Sequence, residues 1–238
     1  MDPEQEKALL EVIHHISAVF GPEAVLKGGM ALRMHGIPRS TIDVDYCFQP
    51  HKRKRGFMDG LIRGVEGLFD APPRVTADSK KVQILGKRNG VDIIIEASAH
   101  EGFEPETLST SAVARGVNLA PQLISVMPKS IAFAHKLGAW LDRRLPRDLY
   151  DIHVFYSYLR VRPDLTILQT RLEAPSYARG VKTKPALKSV EAFFQFLREE
   201  ADQLDENLLE EDLRGIVDER ERPGIGAQIL TTLRRIRF

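Results

Sequence analysis

Residues 41–48 alternate in character, with Ile42, Val44 and Tyr46 on one side of an extended chain and Asp43 and Asp45 on the other. The β-branched and aromatic content of Thr41 to Phe48 predicts a strand, and that strand carries two carboxylates on a single face. Just upstream, Glu23 to Leu26 reads as a short strand, Lys27-Gly28-Gly29 as a turn, and Met30 to His35 as a helix closed by Gly36 and Pro38. An amphipathic helix is predicted before these from Glu4 to Phe20, where Leu9, Leu10, Ile13, Ile16 and Val19 recur at helical spacing and Gly21-Pro22 ends the run.

Downstream, the basic run His51 to Arg55 opens a predicted helix through Phe69, which Ala71-Pro72-Pro73 breaks. Asn89-Gly90 between Lys81–Leu85 and Val91–Glu96 predicts a hairpin. Residues 97–127 read as loop and short strand, with Leu123 to Met127 extended. Beyond Pro128 the pattern turns helical, over Ser130–Arg144, Pro146–Leu159, Ser189–Leu204 and Leu208–Asp218, with a proline-interrupted stretch, mostly loop, at Arg162–Lys188. The expected organisation is a mixed α/β domain over 1–127 and a helical domain over 128–238.

Composition narrows the function. Of 238 residues 43% are hydrophobic, enough for a real core, and 34 basic against 33 acidic residues give no global attraction to nucleic acid or membrane. A polyanion site must therefore be local. The single Cys47 excludes an internal disulfide framework. The acidic start Met1-Asp2-Pro3-Glu4, with no apolar run near the roughly 20 residues of a membrane helix, leads us to expect a soluble, cytoplasmic chain.

Carboxylates two apart on a strand can reach ions about 3.5–4 Å apart, the arrangement used for in-line phosphoryl transfer. Mg2+ or Mn2+ suits such a pair because magnesium takes carboxylates together with substrate phosphates. A solvated strand face has the same pattern, so position matters. Lys27, Gly28 and Gly29 lie one short helix upstream, at a junction whose backbone amides can bind a phosphate. Arg39, Ser40 and Thr41 offer a guanidinium and two hydroxyls beside the pair, although a surface turn would look similar. A third carboxylate is expected on the neighbouring strand from Asp92 or Glu96, with Asp92 preferred.

In the helical half Lys136, Trp140 and Arg143 share a face, and Arg147-Asp148-Leu149-Tyr150-Asp151 sets Asp148 and Asp151 at i and i+3. These charges suit a salt-bridge network between two helices, and Lys136 also suits neutralising a leaving pyrophosphate. The seven histidines lack metal-ligand spacing and Cys47 reads as buried. The Phe193, Phe194, Phe196 group reads as core, and the run His51 to Arg55 reads as a helix start able to meet an RNA backbone if it adjoins the site.

Taken in order, Lys27-Gly28-Gly29, Arg39-Ser40-Thr41-Ile42-Asp43-Val44-Asp45, Lys136-Leu137-x-Ala139 with Arg143, and Arg147-Asp148-Leu149-Tyr150-Asp151 resemble the AbiEii-type abortive-infection nucleotidyltransferases. These are toxin halves of bacterial toxin–antitoxin pairs in the DNA polymerase β superfamily, and the pattern covers the chain through about Phe155. The resemblance implies an α/β nucleotidyltransferase lobe with a small mixed sheet, then a helical lobe, with the NTP between them. It implies that Gly28, Gly29 and Thr41 cradle the triphosphate, Asp43 and Asp45 bind metal, Lys136 contacts the nucleotide, and Asp148 or Asp151 completes the site. Relatives add nucleotides to RNA, notably tRNA ends, or act on protein, so the acceptor does not follow from the resemblance; RNA, notably tRNA, is the leading expectation and an antitoxin the candidate protein partner. Met30 departs from the Thr or Ser that often follows the family's glycines, which removes one hydroxyl. Two other classes remain in view: an antibiotic-type enzyme acting on a small molecule, for which the acidic Glu199–Glu221 stretch speaks, and a nucleotide-binding protein without turnover.

Overall fold

The computed structural model describes residues 1–51, 53–78, 81–100, 102–173, 187 and 189–238, and the chain divides into two compact units, Met1–Pro128 and Lys129–Phe238. In the first, helix α1 (Pro3–Phe20) is started by Asp2, whose carboxylate accepts from the Glu4 N–H at 3.4 Å, and by Pro3, whose missing donor is no loss in a first turn. Gly21 ends it at φ +54°. Leu9, Val12, Ile13 and Ile16 are fully withdrawn from water, each such burial contributing roughly 1.5–3 kcal/mol.

There follow β1 (Ala24–Lys27), α2 (Gly28–Met34), β2 (Asp43–Phe48), α3 (Met58–Val65), β3 (Arg74–Ala77), β4 (Lys81–Arg88), β5 (Val91–Ala99), β6 (Glu106–Ser109), α4 (Ser111–Ala114) and β7 (Leu123–Val126). The strands form one sheet in the order β3-β4-β5-β2-β1-β7-β6. It is mixed: β2 runs parallel to β5 and β1 parallel to β7, while the other neighbours are antiparallel. β2 is thus internal, and Val44, Tyr46 and Phe48 on its apolar face join the α1 residues in one core. The β4–β5 hairpin turns at Asn89 and Gly90, both at positive φ, the type I′ combination whose twist matches that of the strands. The Asp70 carboxylate accepts from both turn N–H groups at 2.9 Å, and those bonds lower its pKa.

Two expectations change here. The helix expected over 51–69 is only Met58–Val65, flanked by 3-10 turns at 54–56 and 66–68. Gly56 and Gly67, just outside its two ends, favour the early stops, since a glycine costs a helix about 1 kcal/mol relative to alanine. The basic run also follows the end of β2, whereas Asp43 and Asp45 open that strand, so Arg53 and Arg55 leave from the opposite end of the sheet and do not adjoin the carboxylates. Lys52 of that run lies outside the described residues.

The second unit contains α5 (Lys129–Arg143), α6 (Pro146–His153), which continues into a π-helical turn (Val154–Tyr158), α7 (Leu165–Glu173), α8 (Val190–Ala201), α9 (Glu206–Asp212) and α10 (Ile225–Arg235). Phe133, Leu137, Trp140, Phe193, Leu197 and Ile229 are among its buried residues. Helix α7 occupies nine residues of the stretch read as mostly loop. The breakers Pro175, Gly180 and Pro185 lie outside the described residues. No helix among the described residues is long and apolar enough to cross a membrane.

Candidate active site

Strand pairing assembles the first cluster. Lys27 at the end of β1 pairs with Asp45 of β2, Asp45 pairs with Glu96 of β5, and Glu96 pairs with Gln83 of β4. Directly opposed residues point to the same face, so Gln83, Glu96, Asp45 and Lys27 form one row across four strands. Asp43 shares that face and is paired with Ile94. The Lys27 ammonium lies 3.9 Å from the Asp45 carboxylate, and Glu96 accepts from Lys81 Nζ at 2.5 Å and from Gln83 Nε2 at 2.8 Å. Three half-buried carboxylates thus lie among two lysines.

The glycines are required by contact. Gly28 sits at φ +70°, and a Cβ placed on it would lie 2.0 Å from Asp45 Oδ2. A Cβ on Gly29 would lie 2.3 Å from Arg39 Nη1 and 3.0 Å from Thr41 Cβ. The turn therefore lets a carboxylate and a guanidinium lie against bare backbone, which is where a phosphate can also approach N–H groups. α2 has only seven residues, so its dipole adds little and local N–H groups carry any anion binding. Arg39 is buried and donates from Nη1 to Ser40 O at 3.3 Å. The Thr41 hydroxyl accepts from the Asp43 N–H at 3.2 Å and so fixes the start of the carboxylate strand.

Asp92 stands apart from the row. By register it is level with Thr41, its side chain is 77% exposed, and its partner is Lys87 at 3.5 Å, a surface pair of little energetic weight. Glu96 is the carboxylate that the sheet sets beside Asp45. Sequence spacing placed both on the correct face but contained no signal for the register.

A second cluster lies within the helical unit. Asp148 and Asp151 of α6 have side chains fully removed from solvent. Arg143 of α5 grips Asp148 with two bonds of 2.6 Å, and Lys136 Nζ lies 2.6 Å from Asp151 Oδ2 and 3.4 Å from Asp148 Oδ1. Two buried carboxylates are thereby matched by two cations, and removing one partner of such a set typically costs about 3–5 kcal/mol. Trp140, on the same stretch, is packing: it meets Phe193 and Phe196, and the Arg144 guanidinium lies 4.4 Å over its ring. Arg147 is half-buried at the start of α6.

The remaining residues singled out have structural roles. His14 Nε2 meets Thr110 Oγ1 at 2.9 Å and His15 Nε2 meets Gly64 O at 2.7 Å. Burial pushes the Cys47 thiol up to about 11, which keeps it protonated and unreactive at neutral pH. Among the described residues no group of three or more His, Cys, Asp or Glu side chains forms a ready-made metal cage. The donor chemistry still fits magnesium or manganese, because such ions are commonly held by one or two carboxylates, with phosphates and water supplying the rest.

A mixed sheet presenting a carboxylate pair beside a glycine turn, accompanied by a helical unit, defines a polymerase β-like nucleotidyltransferase fold. The profile described as nucleotidyl transferase AbiEii toxin, type IV toxin–antitoxin system, matches residues 15–226, and the chain belongs to this family. A crystal structure of a candidate nucleotidyltransferase from H. pylori is similar at a TM-score of 0.51 and 14% identity, covering 98% of this chain and 94% of its own. That likeness concerns the fold. The non-canonical poly(A) polymerase complex GLD-2–GLD-3 contains a more distant chain, with a TM-score of 0.35, 13% identity, and coverage of 84% of this chain and 72% of its own. No curated protein matches the chain.

Proposed function

We propose that this protein transfers a nucleoside monophosphate from an NTP to an acceptor hydroxyl on RNA, with tRNA the leading candidate, and that it acts as the toxin of a toxin–antitoxin pair. The observation that supports this most is the row Gln83, Glu96, Asp45 and Lys27, with Asp43 on the same face and Gly28 pressed against Asp45. In the reaction the acceptor oxygen bonds to the α-phosphorus, the bond to the bridging oxygen of the β-phosphate breaks, and pyrophosphate leaves. Asp43 and Asp45 would hold Mg2+ or Mn2+, which supplies charge neutralisation at the phosphate oxygens. Glu96, in preference to Asp92, is proposed as the third carboxylate, kept in place by Lys81 and Gln83.

The N–H groups of Gly28 and Gly29 would orient the triphosphate, with Lys27 and Arg39 countering its charge. Thr41 acts by fixing the strand start, and Ser40 offers a further hydroxyl beside it. In the helical unit Lys136 is proposed to meet the nucleotide, pre-positioned by Asp148 and Asp151, with Arg143 and Arg147 completing the charge set. An antibiotic-type reading would place a cationic substrate near Glu200, Asp205 and Asp212. The pocket they line measures about 120 Å³, well below the roughly 300 Å³ at which small-molecule sites begin, and Glu200 is already paired with Arg144 at 2.8 Å. That acidic region therefore gives the antibiotic-type reading little support.

The test is incubation of the full chain with each labelled NTP, Mg2+ or Mn2+, and total tRNA, beside Asp45→Ala and Lys136→Ala. Label on tRNA with the wild type alone is the expected result. Label on the protein or on an added aminoglycoside would move the acceptor while keeping the chemistry. NTP binding that survives both substitutions without any transfer would instead indicate a nucleotide-binding protein without turnover.

A further inference from the structure

The helical unit holds a groove that the proposed reaction does not use, about 370 Å³ in volume, between the π-helical turn and α10. The turn is closed by the Leu159 N–H donating to Val154 O at 2.9 Å, and wide turns of this kind are rare and concentrate at functional sites. It brings Ser157 to Thr232, whose hydroxyl meets Ser157 Oγ at 2.9 Å and His153 Nδ1 at 2.7 Å. His153 is only 4% exposed, and its Nε2 has no hydrogen-bond partner. Burial holds its pKa at about 4, so the ring is neutral at pH 7, and His153 is one of the residues lining the groove.

The wall opposite is one face of α10, where Gln228, Thr231 and Arg235 recur at i, i+3 and i+7 and are exposed. Among the described residues lining the groove there is a guanidinium, an amide and several hydroxyls, and no carboxylate. We propose that this groove binds a small phosphomonoester of sugar-phosphate size. Arg235 supplies the fixed charge and forked geometry that phosphate oxygens select, and Thr231, Ser157 and Gln228 supply donors for the remaining oxygens and the sugar hydroxyls. The volume falls within the range of small-ligand sites, about 300–1,000 Å³, and exceeds what a bare phosphate needs.

Titration of the 15N-labelled full chain with ribose 5-phosphate, inorganic phosphate and ribose tests this. Ribose 5-phosphate is expected to shift the amides of Ser157, Gln228 and Thr231 at millimolar concentration, ribose to leave them unmoved, and Arg235→Gln to weaken binding roughly tenfold or more. Arg235 is exposed, so the variant should fold, and Thr231→Val gives an independent second loss. Absent shifts, equal shifts with ribose, shifts with free phosphate alone, or binding indifferent to Arg235→Gln would each overturn the proposal. Phosphate binding at the glycine turn would be read separately, at residues 27–45, so the outcome does not depend on the nucleotidyl-transfer reading.

Discussion

Replacing Gly28 with alanine separates backbone strain from displacement of the carboxylate. At φ +70° an alanine carries about 1–2 kcal/mol of left-handed strain. Its Cβ would also stand 2.0 Å from Asp45 Oδ2, where real contacts essentially never fall below 3.0 Å, so the carboxylate must retreat by about 1 Å. A displacement of that size in a reacting constellation can cost on the order of 100-fold in rate, close to 2.7 kcal/mol of barrier. Gly90 is the matched control: φ is +79°, and a Cβ there meets nothing within 4 Å. Thermal melts should show a similar loss of stability in Gly28→Ala and Gly90→Ala, while pyrophosphate release with saturating NTP should fall about 100-fold in Gly28→Ala alone. Wild-type turnover in a folded Gly28→Ala protein, or equal losses in both variants, would refute the reasoning that Asp45 must lie against the turn.

Other outcomes follow from the same geometry. Glu96→Gln should lower transfer by about 100-fold, whereas Asp92→Asn, at an exposed surface pair, should leave it close to wild type; the reverse order in a steady-state assay would return the third-carboxylate role to Asp92. Asp148→Ala leaves Arg143 and Lys136 short of a buried partner and should destabilise the fold by about 3–5 kcal/mol in denaturant titration, and a loss below 1 kcal/mol would show the network to be weakly coupled. His153 is held neutral to about pH 4 in the fold but protonates near 6.5 when unfolded, so its contribution is fully present above pH 6.5 and is lost as pH falls toward 4. At 1.36 kcal/mol per pH unit that gap amounts to roughly 3 kcal/mol, so His153→Gln should flatten the acid slope of stability between those pH values, and an unchanged slope would assign the acid sensitivity elsewhere.

Local chemistry was legible along the chain, and long-range pairing was not. Asn89-Gly90 announced its hairpin because Asn-Gly readily takes the two positive φ angles of a type I′ turn, and the alternation around Asp43 and Asp45 announced their strand. The row that sets Glu96 beside Asp45 rests on a parallel pairing between β2 and β5, which a helix and two strands separate along the chain and which no local pattern encodes. β3 went unread because all four of its residues are exposed and show no alternation. α10 does carry a readable signal in Ile225, Ile229, Leu230 and Leu233, buried at helical spacing, which the breakers Gly224 and Pro223 just before it obscure. Helix α3 is shorter than the stretch from His51 to Phe69 in which it was expected, with Gly56 and Gly67 just outside its ends.

The central claim, that this chain moves a nucleotidyl group, is tested most directly by the fate of two labels. The full chain is incubated with Mg2+, tRNA and one NTP carrying 32P at either the α- or the γ-position, and the products are separated by size. Nucleotidyl transfer predicts that the α-label enters the acceptor and the γ-label leaves as pyrophosphate in equal amount, with both movements abolished by Asp43→Asn. A γ-label on the acceptor would mean phosphoryl transfer and would contradict the account, as would α-label incorporation that persists without Asp43.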